Sequence, residues 1–449
     1  MLTLVSVVQG QVTQSPITIQ QVVEAALRTY PAVRVSEEQI NAASAGIQLA
    51  RTAYLPRVDS LAQVNRATRN NIFGLLLPQA VIPSISGPVL GSNSLDSVWG
   101  TAVGATVTWE PFDFGLRNAS VAAATAAKTR NEATLKRTEL EISVAAADAF
   151  LTLIATQETV RAAQAGVDRA QALSQSVRAQ ADAQLRPGAD VSRTEAELAA
   201  ARTQLVQAQQ AQDIARALLS QFVGIPPDQI TVAAARLLQL PSEQTPSPFD
   251  AAHNPAAVEQ NTLIDQKKAE LQALEKSYVP RLFVQGSAFA RGTGAQTDGT
   301  RLGGGNGLAP STQNYALGLT ITFPLFDFAS IHAREAAQSA TIRAETARYQ
   351  QITTELTTRQ NAARAALEGA RKIVANTPVA VTAAMTASQQ ANARYQAGLG
   401  TIVEVADAQR LLTQSEIDDA LARLGVWRAL LSTAAATGNV QPFLANAAP

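Results

Sequence analysis

Short stretches of this chain alternate between apolar and small or polar residues with a period of two, the mark of strands with one greasy face. After Pro56, Val58, Ser60, Ala62 and Val64 share one side, and Arg57, Asp59, Leu61 and Gln63 the other. Between Ala102 and Trp109, Val103, Ala105, Val107 and Trp109 oppose Ala102, Gly104, Thr106 and Thr108. Leu317, Leu319, Ile321 and Phe323 oppose Gly318, Thr320 and Thr322, and the residues after "SYVPR" (277–281) alternate as well. A soluble sandwich and a membrane barrel both give this alternation. Phe73, Trp99, Trp109, Tyr278, Phe283, Phe289, Tyr315 and Phe323 lie near strand ends, where a membrane barrel carries its aromatic girdles.

The rest of the pattern is helical. From Leu116 to Leu185 there is no Pro and one Gly, Gly166; as a single helix this tract is about 105 Å long. Ser330–Ala397 is similar except for Pro378, which is expected to kink or break it. Leu140, Val144, Ala147, Leu151 and Ile154 step by four and three, a heptad seam. The far turns read "QLRPGADVSRTEAE" (184–197) and "RYQAGLGTIVEVADAQ" (394–409). Gly188, Gly398 and Gly400 supply the permissive backbone of a helix stop. Thr401 is placed to cap the next helix, with Glu404 at capping-box spacing. Glu404 and Asp407, three apart, share a helix face.

The chain repeats itself. "AYLPR" at 53–57 returns as "SYVPR", with Tyr54 and Tyr278 224 residues apart, and "WEPFDFG" (109–115) returns as "FPLFDFA" (323–329), 214 residues on. "RTEAELAAARTQL" (193–205) matches "VADAQRLLTQSEI" (405–417) at 212. Each half therefore reads helix, strand, loop, strand, long helix, turn, helix. The expected organisation is an N-terminal segment at 1–16, a first repeat at 17–225, a linker at 226–253, a second repeat at 254–439 and a tail at 440–449. Phe112, Asp113, Phe114 and Gly115, and Phe326, Asp327 and Phe328, form two strand-to-helix joints. Asp113 and Asp327 are candidate N-caps.

Composition narrows the function. Lys plus Arg equals Asp plus Glu at 36 each, so no basic surplus favours nucleic acid. There is no Cys, which removes disulfides, thiolate chemistry and the acceptor for a lipid thioether. The two His, His253 and His332, suggest no metal cluster, and no cofactor is implied. No nucleophile–base set or paired catalytic carboxylates stand out, so an enzyme is the weakest reading. The start "MLTLVSVVQGQ" fits either a truncated secretory signal or an ordinary flexible segment. No apolar run is long enough for a membrane helix, so a membrane form must be a β-barrel. Loop 70–97 contains "IFGLLLPQAVIPSISGP", which suits a fold over a barrel mouth or packing on a neighbouring subunit. Loop 292–313 is Gly-rich without the Lys-Ser/Thr of a phosphate cradle. A periplasmic coiled-coil scaffold without a channel also fits the periodicity.

Strands set between very long helices, twice, with hairpin turns at the far end, resemble the TolC-like outer membrane factor family from about Ile17 to Asn439. The Tyr-x-Pro-Arg strand openings, the two Phe-Asp-Phe joints and the tip "YQAGLGTIVEVADAQ" carry the likeness. The resemblance implies a mixed α and β membrane protein in the outer membrane, a homotrimer whose four strands per chain close one 12-stranded barrel. It implies a long periplasmic α-helical barrel continuing that of the strands. It also implies a passive exit duct for efflux or type I secretion, with outer membrane lipids, a periplasmic adaptor protein and an inner-membrane pump as partners. The family's adaptor-contacting turns fall at Pro187, Gly188 and Ala189 and at Ala397, Gly398 and Leu399. Its aperture residues fall at Tyr395, Glu404 and Asp407. The family's Arg position is occupied by Gly400 and an acidic position falls near Thr194, so the full latch does not carry over. A ring of carboxylates at a narrow pore attracts cations; the same acids also suit the first turn of any helix.

Overall fold

The computed structural model describes residues 16–68, 95–184, 187–242, 249–296, 300–323 and 327–448. The elements are α1 (Ile19–Thr29), α2 (Pro31–Thr52), β1 (Arg57–Thr68), β2 (Ser97–Phe112), α3 (Leu116–Asp182), α4 (Gly188–Val223), α5 (Pro255–Glu275), β3 (Arg281–Thr293), β4 (Thr312–Thr322), α6 (Phe328–Gln396), α7 (Ile402–Thr437) and α8 (Gln441–Ala447). The chain is mostly helical, with one antiparallel sheet. It divides into two compact units, one of Met1–Ile40, Arg130–Thr262 and Thr346–Pro449, the other of Asn41–Thr129 and Leu263–Glu345.

The second unit holds the sheet, in the order β1-β2-β3-β4. Its register aligns the alternating faces of all four strands. Val58 pairs with Val107, Val107 with Gly286, and Gly286 with Leu317, so these four form one row on one face. The adjoining rows on that face include Trp109, Val284 and Leu319, and Ala105, Ala288 and Tyr315. The opposite face carries Asp59, Gln63, Thr106, Gln285, Ser287 and Asn314, with Leu61, Phe283 and Phe289 among them. Gly104 is required there: a Cβ added to it would lie 2.3 Å from the Cβ of Phe289.

On β2 the apolar face is the more exposed one, and on β1 and β4 both faces are largely exposed. Leu317 is 82% and Leu319 66% exposed, and Val58, Val103 and Val107 are exposed with them. Ala102 and Thr106 on the other face are buried. A sheet that folds in water buries its greasy side; this one leaves it exposed. Toward the helices, β2 shifts register between Trp109 and Phe112. At the opposite end, the Gly-rich loop is fastened to β2: Thr101 donates to the Gly307 carbonyl at 2.9 Å and the Gly294 N–H to that of Trp99 at 2.8 Å. Most of loop 70–97 lies outside the described residues.

The first unit has a helical core built from α1, α3, α4, α7 and α8. Phe150, Leu219 and Trp427 are buried in it, together with Ala147, Leu151 and Ile154 of the heptad seam; Leu140 and Val144 pack at its margin. The Trp427 indole N–H donates to the Gln239 carbonyl at 3.0 Å, satisfying the one polar group of a buried indole. Asn254 ties two helix ends together. Its Nδ2 donates to the Ala436 carbonyl at the end of α7, and its Oδ1 accepts from the Ala256 N–H at the start of α5, each at 3.0 Å.

Two expectations about the long helices divide. α3 is unbroken over 67 residues. α6 is also unbroken over 69 residues and continues through Pro378, so the expected break does not occur. A proline inside a helix costs about 3 kcal/mol through a lost backbone bond and a ring clash, and side-chain bonds flank it here. Thr377 donates to Asp419 of α7 at 2.7 Å, and Thr382 donates to the Pro378 carbonyl at 2.9 Å.

Candidate functional site

The turn that follows α6 is a Schellman stop. Gly398 has φ +75°, its N–H donates to the Tyr395 carbonyl, and the Leu399 N–H donates to the Arg394 carbonyl at 2.8 Å. Only glycine adopts that φ without cost. Thr401 then caps α7, its Oγ1 accepting the Glu404 N–H at 3.3 Å. The turn after α3 works differently. Gln184, not Gly188, takes the left-handed conformation, with φ +62°. Pro187 is the N-cap and Gly188 the first residue of α4, so the expectation that Gly188 supplies the stop is corrected. Pro187, Gly188, Ala189, Ala397, Gly398 and Leu399 are all exposed.

These two turns are bound to each other. Leu173, Val177, Tyr395, Ile402 and Val405 form a small apolar core with Val191 and Ala391 against it. Tyr395 is only 2% exposed, and its hydroxyl donates to Asp190 Oδ2 at 3.1 Å. Asp190 is the residue that reading the sequence missed. Its signal was present, an acid in the first turn of α4, where the helix N-terminus favours it. Thr194, where the family's acidic position falls, is buried instead.

Glu404 and Asp407 are both exposed, but their surroundings differ. Asp407 accepts from Arg410 Nη2 at 2.6 Å. Arg410 also reaches Glu197 at 3.4 Å, and Glu197 pairs with Arg193. Glu404 meets no basic side chain among the described residues; its described side-chain partner is the Thr401 hydroxyl. Deeper along the same helices, Arg169 grips Glu416 with both terminal nitrogens and donates to Thr413 at 2.8 Å. A cleft of about 370 Å³ lies there between α3, α4 and α7, lined by Gly166, Ala170, Thr194, Glu197, Gln409 and Arg410 among others.

The first joint is a polar keystone. Asp113 Oδ1 accepts from the Gly115 N–H, and its Oδ2 accepts from both the backbone N–H and Nε of Arg117. Arg117 also donates to the carbonyls of Ala53 and Pro111 and lies 4.6 Å from the Tyr54 ring centre. Asp113 therefore bonds the free N–H groups at the start of α3 from three residues before Leu116, through a turn in which Phe114 and Gly115 have φ +49° and +99°. Beside it, Arg281 holds Glu110 with two bonds of 2.7 Å. Phe112, Phe114 and Phe328 are exposed. At the second joint the Asp327 carbonyl accepts from the Ile331 N–H at 3.0 Å. Phe326 lies outside the described residues.

This combination of an outward apolar sheet and paired hairpin turns has relatives. A family model described as outer membrane efflux protein matches residues 22–225 and 251–439. The chain belongs to the outer membrane efflux protein family. Solved channels share its fold. The Campylobacter jejuni CmeC outer membrane channel superposes with a TM-score of 0.74 at 14% identity, over 98% of this chain and 94% of that one. The outer membrane protein VceC of Vibrio cholerae gives 0.71 at 17%, over 94% and 96%. The Neisseria gonorrhoeae MtrE outer membrane channel, in its open state, gives 0.69 at 18%, over 94% and 89%. None of the curated proteins compared with the chain matches it in sequence. Membership makes this an outer membrane efflux channel protein with a long helical extension.

Proposed function

We propose that three copies of this chain close one 12-stranded barrel and act as the passive exit duct of a tripartite efflux or type I secretion system. The observation that carries the reading is the sheet. Its apolar face is turned outward, its opposite face is largely polar, and the outer edges of β1 and β4 pair with no strand among the described residues. Unpaired strand edges cannot persist in a bilayer, and β4 of one copy meeting β1 of the next removes them. A periplasmic adaptor seats on the exposed turns at Pro187–Ala189 and Ala397–Leu399, and an inner-membrane pump supplies cargo and energy. Extraction in mild detergent tests this: a heat-modifiable trimer that conducts in planar bilayers is expected, and a soluble monomer would sink the reading.

In the duct, Tyr395 and Asp190 hold the two turns of each copy together and so set the aperture. Tyr395→Phe removes the hydroxyl but keeps the ring in its core, so trimers should form normally while single-channel conductance rises. Conductance equal to the parent protein would remove Tyr395 from the aperture. Glu404 and Asp407 line the ring, with Glu404 the stronger because Arg410 offsets Asp407. Glu404→Ala should shift the reversal potential in a salt gradient away from cation preference by more than Asp407→Ala does. No shift in either variant would show that neither faces the pore.

A further inference from the structure

The outward face of the sheet is not smooth. A groove of about 450 Å³ runs along it at the end nearest the helices. Trp109 and Leu317 wall it, Val107 and Val284 flank its floor, and Tyr54 and Pro56 close its end. The floor is Gly286, in the middle of the row Val58, Val107, Gly286, Leu317.

Nothing in the fold requires a glycine at this position. Its φ is not among the positive ones. A Cβ built on it would meet nothing nearer than Leu317 Cδ1 at 3.8 Å and the Ala316 carbonyl at 4.0 Å. Gly104, by contrast, has no room for one. Glycine in a strand interior costs backbone entropy and offers no side chain to pack. The missing side chain therefore leaves open space on an apolar surface.

We propose that this groove is a binding site for one acyl chain of a phospholipid in the leaflet nearest the helices. The occupant follows from the position of the groove. It is continuous with the exposed apolar face and is walled by aliphatic and indole carbon. At its end stand Trp109 and Tyr54, the residue types that settle at a membrane–water boundary. The Trp109 N–H is already committed to the Tyr54 carbonyl at 3.1 Å, so the indole presents carbon to the groove. The site rests on the sheet facing lipid, as the proposed function requires.

Brominated phosphatidylcholine, whose chains quench Trp fluorescence on contact, tests it. The full-length trimer, delipidated in maltoside, is titrated with this lipid. The quenching lost in Trp109→Phe isolates the Trp109 signal from Trp99 and Trp427. Saturation near one lipid per chain is expected, with a several-fold loss of that saturable quenching in Gly286→Leu. Gly286→Ala, for which there is room, gives a smaller loss and serves if the leucine variant does not assemble. Quenching that rises without saturation, or that Gly286 variants leave unchanged, would overturn the groove site. Reconstitution in wholly brominated vesicles separates the two levels: if Trp109 is unquenched even there, the lipid-facing sheet itself is wrong.

Discussion

Leu319→Arg is expected to stop this chain from assembling in the outer membrane, whereas Thr320→Arg, one residue along β4, is expected to assemble normally. Leu319 pairs with Val284 on the exposed apolar face, and Thr320 pairs with Phe283 on the opposite face. An arginine on the lipid side of a barrel near its midplane costs about 2–4 kcal/mol, and a trimer carries that cost three times. In the proposed barrel an arginine at Thr320 instead faces the water-filled interior and costs little. Heat-modifiable migration of membrane extracts reads assembly directly. The Thr320→Arg trimers should also conduct with a shift toward anions, because three cations then line the lumen. The opposite outcome, in which Leu319→Arg assembles and Thr320→Arg does not, would turn the sheet inside out and remove the basis of the channel reading.

The contrast between these neighbours shows what sequence alone reveals. Period two told which residues share a face at Leu317, Leu319 and Ile321, but not whether that face looks inward or outward. Exposure separates the faces on β2, where Val103 and Val107 are exposed and Ala102 and Thr106 buried, and that contrast depends on register across β1 to β4, a long-range property that no local window contains. The long helices were legible because Ala-rich tracts with so few helix breakers strongly favour helix locally. Pro378 marks the limit of that rule: its local penalty is real, yet the helix continues through it. At the tip, the stop at Gly398 was legible, since a Schellman turn is local. The stop at Gln184 was not, because a glycine stands only four residues later. The bond between Tyr395 and Asp190 joins residues 205 apart, and only the packing of two hairpins brings them together.

Arg117→Ile should be the most destabilising single change at the strand-to-helix joints. Arg117 and Asp113 are both buried, and removing one partner of a buried pair leaves a charge uncompensated, at roughly 3–5 kcal/mol. The second repeat offers a control within the same chain. The residue 214 positions after Arg117 is Ile331, which is buried without any ion pair at its position. The matching acid there, Asp327, is exposed, whereas Asp113 is buried; the double variant Asp113→Asn, Arg117→Ile takes the isoleucine of the second joint and also leaves no buried lone charge, so it should recover much of the loss. Acid dependence gives an independent check. Burial alone would raise the Asp113 carboxyl, but the Arg117 side chain, the N–H groups of Arg117 and Gly115 and the guanidinium charge together hold it below its ordinary value of 3.8. A carboxyl lowered by folding contributes stability that is complete above its unfolded value and lost as pH falls through the folded one. The parent trimer should therefore lose thermal stability below about pH 4, and the double variant, with no carboxylate at position 113, should lose less over the same interval. If the single and double variants melt together and share the parent's acid dependence, the pair is not what fastens this joint.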